Sequence, residues 1–140
     1  MLPQELARFQ GRWRIDRTIT DHAGGATGAF EGTGAFRPDG AGGLAYDEDG
    51  MLCFGGVPLR ATRRYLYGAE GGRIFVAYED GRPFHDFDAG SCCAWAEHLC
   101  GEDHYKVTYR FVEPDRWTAD WVVRGPRKDY RMETRYARIA

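Results

Sequence analysis

Short alternating segments separated by turn signals run along nearly the whole chain, and this pattern constrains the fold more than any other feature. Apolar and polar side chains alternate with period two, as they do in half-buried β-strands. Glycine-rich and proline-rich turn signals, such as Asp80-Gly81, interrupt the alternation at short intervals. The pattern predicts ten strands, at about 12–20, 27–37, 43–54, 58–67, 73–79, 82–88, 92–100, 103–112, 116–124 and 127–138.

One segment, Gln4 to Gln10, has helical spacing, with Leu6 and Phe9 three residues apart. We expect a short helix there that plugs one end of the molecule. The strands follow one another through short connections, which predicts an up-and-down antiparallel meander. Because an open sheet of ten strands exposes two edges, closure is expected. The prediction is an all-β, ten-stranded up-and-down antiparallel barrel, formed as a single domain by residues 1–140.

Composition argues against several classes of partner. The formal net charge is -2, and the absence of a basic stripe argues against a nucleic-acid partner. Apolar runs are too short for a membrane span, and the first residues lack the basic-then-apolar order of a signal peptide. We therefore expect a cytoplasmic protein with no membrane partner, in which four cysteines stay reduced: Cys53, Cys92, Cys93 and Cys100. The sequence does not specify an oligomeric state.

Strand phase predicts which polar side chains face inward. Arg17 alternates in step with the apolar residues Trp13 and Ile15, so it shares their inner face. The same reasoning, extended across two-residue hairpin loops, gives an inward polar set of Arg17, Glu48, Arg63, His85, His98, Asp103, Tyr105, Lys128 and Tyr130. Strand order places most of this set at the mouth opposite the helix, with Glu48 and Arg63 nearer mid-depth.

Two hairpins carry specific register predictions. A two-residue loop at 125–126 sets Val123 opposite Lys128. In the hairpin around Asp80-Gly81, an inward His85 leaves Phe84 on the outer face.

The opening motif Phe9-x-Gly11-x-Trp13, which follows the predicted helix, resembles the lipocalin and wider calycin signature. The resemblance implies a barrel in which Trp13 packs at the closed end beneath an arginine from near the end of the chain. Arg138 has the phase and position for that role.

Three longer stretches, at 80–85, 97–105 and 125–130, resemble a bacterial family known only as a domain of unknown function. This resemblance spans nearly the whole chain and implies no activity. The pair Arg63-x-Tyr65 is similar to the Arg-x-Tyr pair with which fatty-acid-binding barrels hold a carboxylate, although it lies on a different strand.

Three interpretations fit the inward polar set. Since an unpaired buried charge is costly, the groups pair with one another and fill a narrow barrel, or their cations bind an anionic ligand. The third is a cofactor-free lyase or isomerase, with His98 or Glu48 as acid–base groups and Arg17 or Arg63 stabilising developing charge. We favour binding of a small, partly apolar anionic molecule in a polar pocket at the open mouth.

A zinc site is a further alternative, because His98 and Cys100 share one face and Asp103 lies opposite Cys100. His104 points outward and no Cys-x-x-Cys pair is present, so we expect no metal and no other cofactor.

Overall fold

The computed structural model describes residues 2–140, in which one short helix precedes ten strands. No helix within these residues is long and apolar enough to cross a membrane. The helix is α1 (Gln4–Ala7), and the strands are β1 (Gly11–Asp21), β2 (Ala26–Pro38), β3 (Leu44–Cys53), β4 (Leu59–Glu70), β5 (Arg73–Tyr78), β6 (Pro83–Asp88), β7 (Cys93–Cys100), β8 (Asp103–Glu113), β9 (Arg116–Gly125) and β10 (Lys128–Arg138).

The strands form one antiparallel sheet in the order β6-β5-β4-β3-β2-β1-β10-β9-β8-β7. The last strand pairs with the first, with Trp13 opposite Arg138. β6 and β7 lie against each other, but within residues 2–140 they share no ladder of hydrogen bonds. The sheet is therefore a nearly closed barrel with one seam, between β6 and β7. The predicted fold is confirmed.

The helix is shorter than predicted, but it plugs one end of the barrel. It ends at Ala7 rather than near Gln10, and beyond it the carbonyl of Phe9 accepts a hydrogen bond from the Trp13 indole at 2.8 Å. Leu6, Phe9 and Trp13 are all fully buried.

An arginine covers the tryptophan at this closed end. The Arg138 guanidinium carbon lies 4.2 Å from the centroid of the Trp13 ring. The same guanidinium donates to the carbonyls of Gln10 and Arg8, each at 2.9 Å. The packing that the calycin resemblance implied is confirmed.

The β9–β10 hairpin has a different register from the predicted one. Lys128 lies opposite Gly125, and Val123 lies opposite Tyr130. The turn residues are 126–127 because the fixed φ of a proline suits the second position of a β-turn. A shift of two residues preserves the face of every side chain, so Lys128 and Tyr130 still point inward.

A bulge in β6 changes which side chains point inward. Val76 lies opposite His85 as predicted, but the next residue of β5, Ala77, lies opposite Pro83. Phe84 is thus an extra residue on β6, and both Phe84 and His85 are buried. The outward prediction for Phe84 was wrong because strict alternation does not continue through a bulge.

The four cysteines are free thiols in the described part of the chain, as expected. Cys92, Cys93 and Cys100 are exposed, and Cys53 is half-buried.

Candidate functional site

The barrel encloses a cavity of about 840 Å³ that opens at the end opposite α1. Its floor includes Arg17 and Glu48, and its rim includes Arg63, Lys128 and Tyr130. A volume of this size falls within the range of pockets that hold small molecules.

An ion pair occupies the floor of the cavity. Arg17 donates to the two Glu48 carboxylate oxygens at 3.0 and 2.8 Å, and its Nε donates to the Thr134 hydroxyl at 2.8 Å. The Tyr46 hydroxyl donates to the same carboxylate. A two-point pair of this kind has a fixed geometry and satisfies most of the hydrogen-bonding capacity of both groups.

The floor stays charged in the folded protein. Burial by itself raises the pKa of Glu48, but the charge and hydrogen bonds of Arg17 outweigh it and hold the pKa below its usual value. Burial raises the pKa of the Tyr46 phenol well above its usual value, so the phenol remains a donor. Arg17 and Glu48 therefore follow the interpretation in which interior charges pair with each other.

Arg63 behaves differently, although it lies directly opposite Glu48 in the β3–β4 ladder. Its side chain is exposed at the rim rather than at mid-depth, and it donates to the Tyr65 hydroxyl at 3.0 Å. The reason is that Glu48 is already paired with Arg17. Among the cations that line the cavity, Arg63 alone has no carboxylate within 4 Å in residues 2–140; the other pairs are Arg17–Glu48, Arg64–Asp47, Arg82–Asp80 and Lys128–Asp103.

Lys128 lies on the rim between two partners. Its Nζ donates to the Tyr105 hydroxyl at 2.8 Å and lies 3.2 Å from a carboxylate oxygen of Asp103. These contacts raise the pKa of Lys128. Lys128 is therefore a cation that an anionic ligand would share with Asp103.

His85 is buried in the cavity wall and neutral. Its Nε2 lies 2.7 Å from the Tyr109 hydroxyl, whereas its Nδ1 has no hydrogen-bond partner within residues 2–140. Burial lowers the pKa of His85 to about 3, and the neighbouring charge of Asp86 only partly opposes the shift.

Aromatic side chains are the largest group in the wall. All eight tyrosines of the chain line the cavity, together with Phe84 and Trp121. The predicted site included two of these tyrosines, Tyr105 and Tyr130. The alternation of side chains could have predicted a further one, because Tyr78 follows the inward Val76 by two residues and so shares its face.

Seven of the nine predicted site residues line the cavity: Arg17, Glu48, Arg63, His85, Tyr105, Lys128 and Tyr130. His98 and Asp103 do not line it. The His98 ring packs edge-on against Phe84, with centroids 5.2 Å apart. Asp103 is occupied by Lys128. The bulge that brings Phe84 inward therefore places it where His98 was expected.

The zinc alternative does not assemble in the part of the chain that the structure describes. Within residues 2–140, no three His, Cys, Asp or Glu side chains are grouped closely enough to hold a metal ion. His98, Cys100 and Asp103 therefore do not form such a group.

Comparison with known sequences gives one family. A family model described as a family of unknown function (DUF6314) matches residues 9–138. No curated protein matches the chain.

Comparison with solved structures gives barrels of the same fold. An S-type phycobiliprotein lyase, CPES, from Guillardia theta has a TM-score of 0.67 at 8% identity, over 96% of this chain and 90% of that one. A DUF3598-family protein of unknown function from Nostoc punctiforme has a TM-score of 0.67 at 12% identity, over 99% of this chain and 50% of that one. A redesigned β-barrel, mFAP0, bound to DFHBI has a TM-score of 0.51 at 15% identity, over 96% of this chain and all of that one. At these identities the likeness establishes the fold alone.

Proposed function

The chain belongs to the DUF6314 family, and we propose that it binds a small, partly apolar anionic molecule in the cavity at the open mouth of its barrel. The observation that carries this proposal is Arg63, a guanidinium at the rim of an aromatic cavity with no carboxylate partner in residues 2–140. Its planar fork suits a carboxylate or a phosphate.

The charge of the cavity wall supports an anion. The lining side chains include five cations and three carboxylates. Asp47 and Asp103, just outside the lining, pair with Arg64 and Lys128, which leaves Arg63 as the cavity cation that no carboxylate within 4 Å neutralises in residues 2–140. A cation without a carboxylate partner beside apolar walls attracts an anion to the cavity.

The neighbouring structures support a small molecule as the ligand. The redesigned barrel of the same fold is bound to DFHBI. A barrel of this fold can therefore bind a small molecule.

The test is thermal melting of the protein and its Arg63→Met variant against a panel of carboxylates and phosphates. A ligand that binds the folded state raises the melting temperature. We expect the variant to remain folded, because Arg63 has no ion pair to lose, and to lose the melting shift that an anion gives with the unmodified protein.

The matched control is Arg60→Met. Arg60 lies on the same strand but on the outer face, paired with Asp49 at 2.7 Å. An exposed pair contributes little to stability, so this variant should keep the melting shift. Equal loss of the shift in both variants, or no shift with any anion, would contradict the proposal.

A cofactor-free lyase or isomerase is the second candidate, and His85 is the observation that favours it. The imidazole lines the cavity, is neutral, and has one nitrogen without a partner in the described chain. A neutral imidazole can accept a proton, but a pKa of about 3 makes it a weak base, so the bound molecule would have to carry an acidic proton. His85→Gln should then leave a ligand bound but chemically unchanged, as judged by chromatography of the ligand after incubation. Equal conversion by the variant would exclude His85 as the base.

A further inference from the structure

The apolar part of the cavity wall is aromatic rather than aliphatic. Ten of the lining side chains are Tyr, Phe or Trp, whereas the apolar aliphatic ones are Val76, Ala119 and Met132. Aromatic faces contribute most to binding when they stack on, or meet edgewise, another π-system. The wall therefore favours one kind of apolar ligand over another.

Three of these rings stack on Phe84. Phe84 stacks on Trp121 with centroids 5.2 Å apart and planes 10° apart. It also stacks on Tyr78 at 4.7 Å and 22°, and on Tyr65 at 5.6 Å and 21°. The planes of Tyr65 and Tyr78 differ by 43°, so the closest match in orientation is the Phe84–Trp121 pair. The bulge in β6 holds Phe84 at the centre of this set.

Polar groups with unused hydrogen-bonding capacity lie beside these rings. The hydroxyls of Tyr78 and Tyr130 make no hydrogen bond within residues 2–140, and Arg63 has no carboxylate there. Tyr130 lies two residues after Lys128 on the same face of β10, and both line the cavity together with Arg63. Donors therefore stand at the edge of an aromatic surface.

We infer that the ligand is a flat, conjugated anion whose carboxylate or phosphate meets Arg63 and whose π-system packs on the Phe84–Trp121 stack. This inference rests on the proposed function and narrows the ligand class. A rigid planar ligand can stack on the Phe84–Trp121 pair without losing internal rotational freedom. A flexible alkyl chain gains no stacking and loses rotational entropy when it is ordered.

The test compares three probes by isothermal titration calorimetry: 2-naphthoate, the alkyl carboxylate undecanoate of matched carbon count, and the neutral 2-naphthalenemethanol. We expect 2-naphthoate to bind about tenfold more tightly than undecanoate, which is the upper part of the range for an aromatic pair. The alcohol should bind more weakly than 2-naphthoate.

Phe84→Leu and Trp121→Leu remove one ring each and keep an apolar side chain. Each should reduce the affinity for 2-naphthoate several-fold and leave that for undecanoate unchanged. Phe75→Leu is the control, because Phe75 lies on the adjacent strand β5 with 44% of its surface exposed, outside the cavity. Melting curves check that each variant folds. If Phe84→Leu does not fold, Trp121→Leu provides the test.

The outcomes separate the two proposals. If undecanoate binds as tightly as 2-naphthoate, or if Phe75→Leu has the same effect as the cavity variants, the planar ligand is overturned and anion binding stands. If the alcohol binds as tightly as 2-naphthoate, the anion is overturned. If no probe binds, both fall.

Discussion

Arg17 and Arg63 are both predicted to point inward, yet a single carboxylate gives them different roles. Glu48 lies opposite Arg63 in the ladder, but it is held at two points by Arg17. Breaking a buried pair leaves an uncompensated charge, so Arg17 stays paired with Glu48 at the floor of the cavity. Arg63 is left with a tyrosine hydroxyl and solvent.

His85 gives the protein a predicted sensitivity to mild acid. Its pKa is about 3 in the fold against 6.5 in an unfolded chain, so between these values the unfolded state binds more protons. Stability is therefore complete above about pH 6.5 and falls as the pH drops toward 3. Urea unfolding should show a loss of about 2 kcal/mol between about pH 7 and pH 5.

The control variants separate His85 from other groups. His85→Phe should lose little stability over the same range, whereas the exposed His22→Gln should behave like the unmodified protein. Arg17 holds the pKa of Glu48 below its usual value, so this carboxylate is not expected to cause a loss between pH 7 and pH 5. A pH dependence that is unchanged in His85→Phe would show that the buried imidazole is not its cause.

At the scale of elements, β6 and β7 are the weak part of the barrel wall. Within residues 2–140 each pairs with only one neighbour, and side chains such as Phe84 and His98 close the mouth end of the seam in place of backbone hydrogen bonds. The seam is also where the bulge departs from regular pairing.

Hydrogen exchange should reveal this difference. Backbone amides of β6 and β7 that point into the seam should exchange by local opening, whereas those of β1, which is paired on both sides, should need much larger unfolding. Mass spectrometry or NMR of amide exchange measures both sets in one sample. Equal protection of seam and β1 amides would mean that hydrogen bonds close the seam.

At the scale of the whole molecule, one end of the barrel is sealed and the other is charged. Leu6, Phe9 and Trp13 fill the sealed end beneath Arg138. The open end carries Arg63, which has no carboxylate partner in residues 2–140. The cavity therefore opens at the charged end of the barrel.

Binding of the proposed anion should depend on salt, because Arg63 has no carboxylate within the described chain to neutralise it. The Debye length falls from about 30 Å at 0.01 M salt to about 3 Å at 1 M. Over that range the dissociation constant of 2-naphthoate should rise about fivefold, equivalent to roughly 1 kcal/mol of screened attraction. The neutral alcohol is the control. An anion affinity that does not change with salt would show that the wall charge does not contribute to binding.

The sequence by itself determined the strands, the closed end and the face of nearly every side chain. Alternation is a local property of an extended backbone, so Arg17, Lys128 and Tyr130 were assigned correctly to the interior even where a hairpin register was two residues off. Only the tertiary structure decided that Arg17 takes Glu48, that Arg63 is left without a carboxylate, and that Phe84 lies in the cavity where His98 was expected. The pairing of Arg17 with Glu48 depends on which side chains meet across the barrel, and the position of Phe84 depends on one extra residue in the β5–β6 ladder. The alternation of side chains along a single strand predicts neither of them.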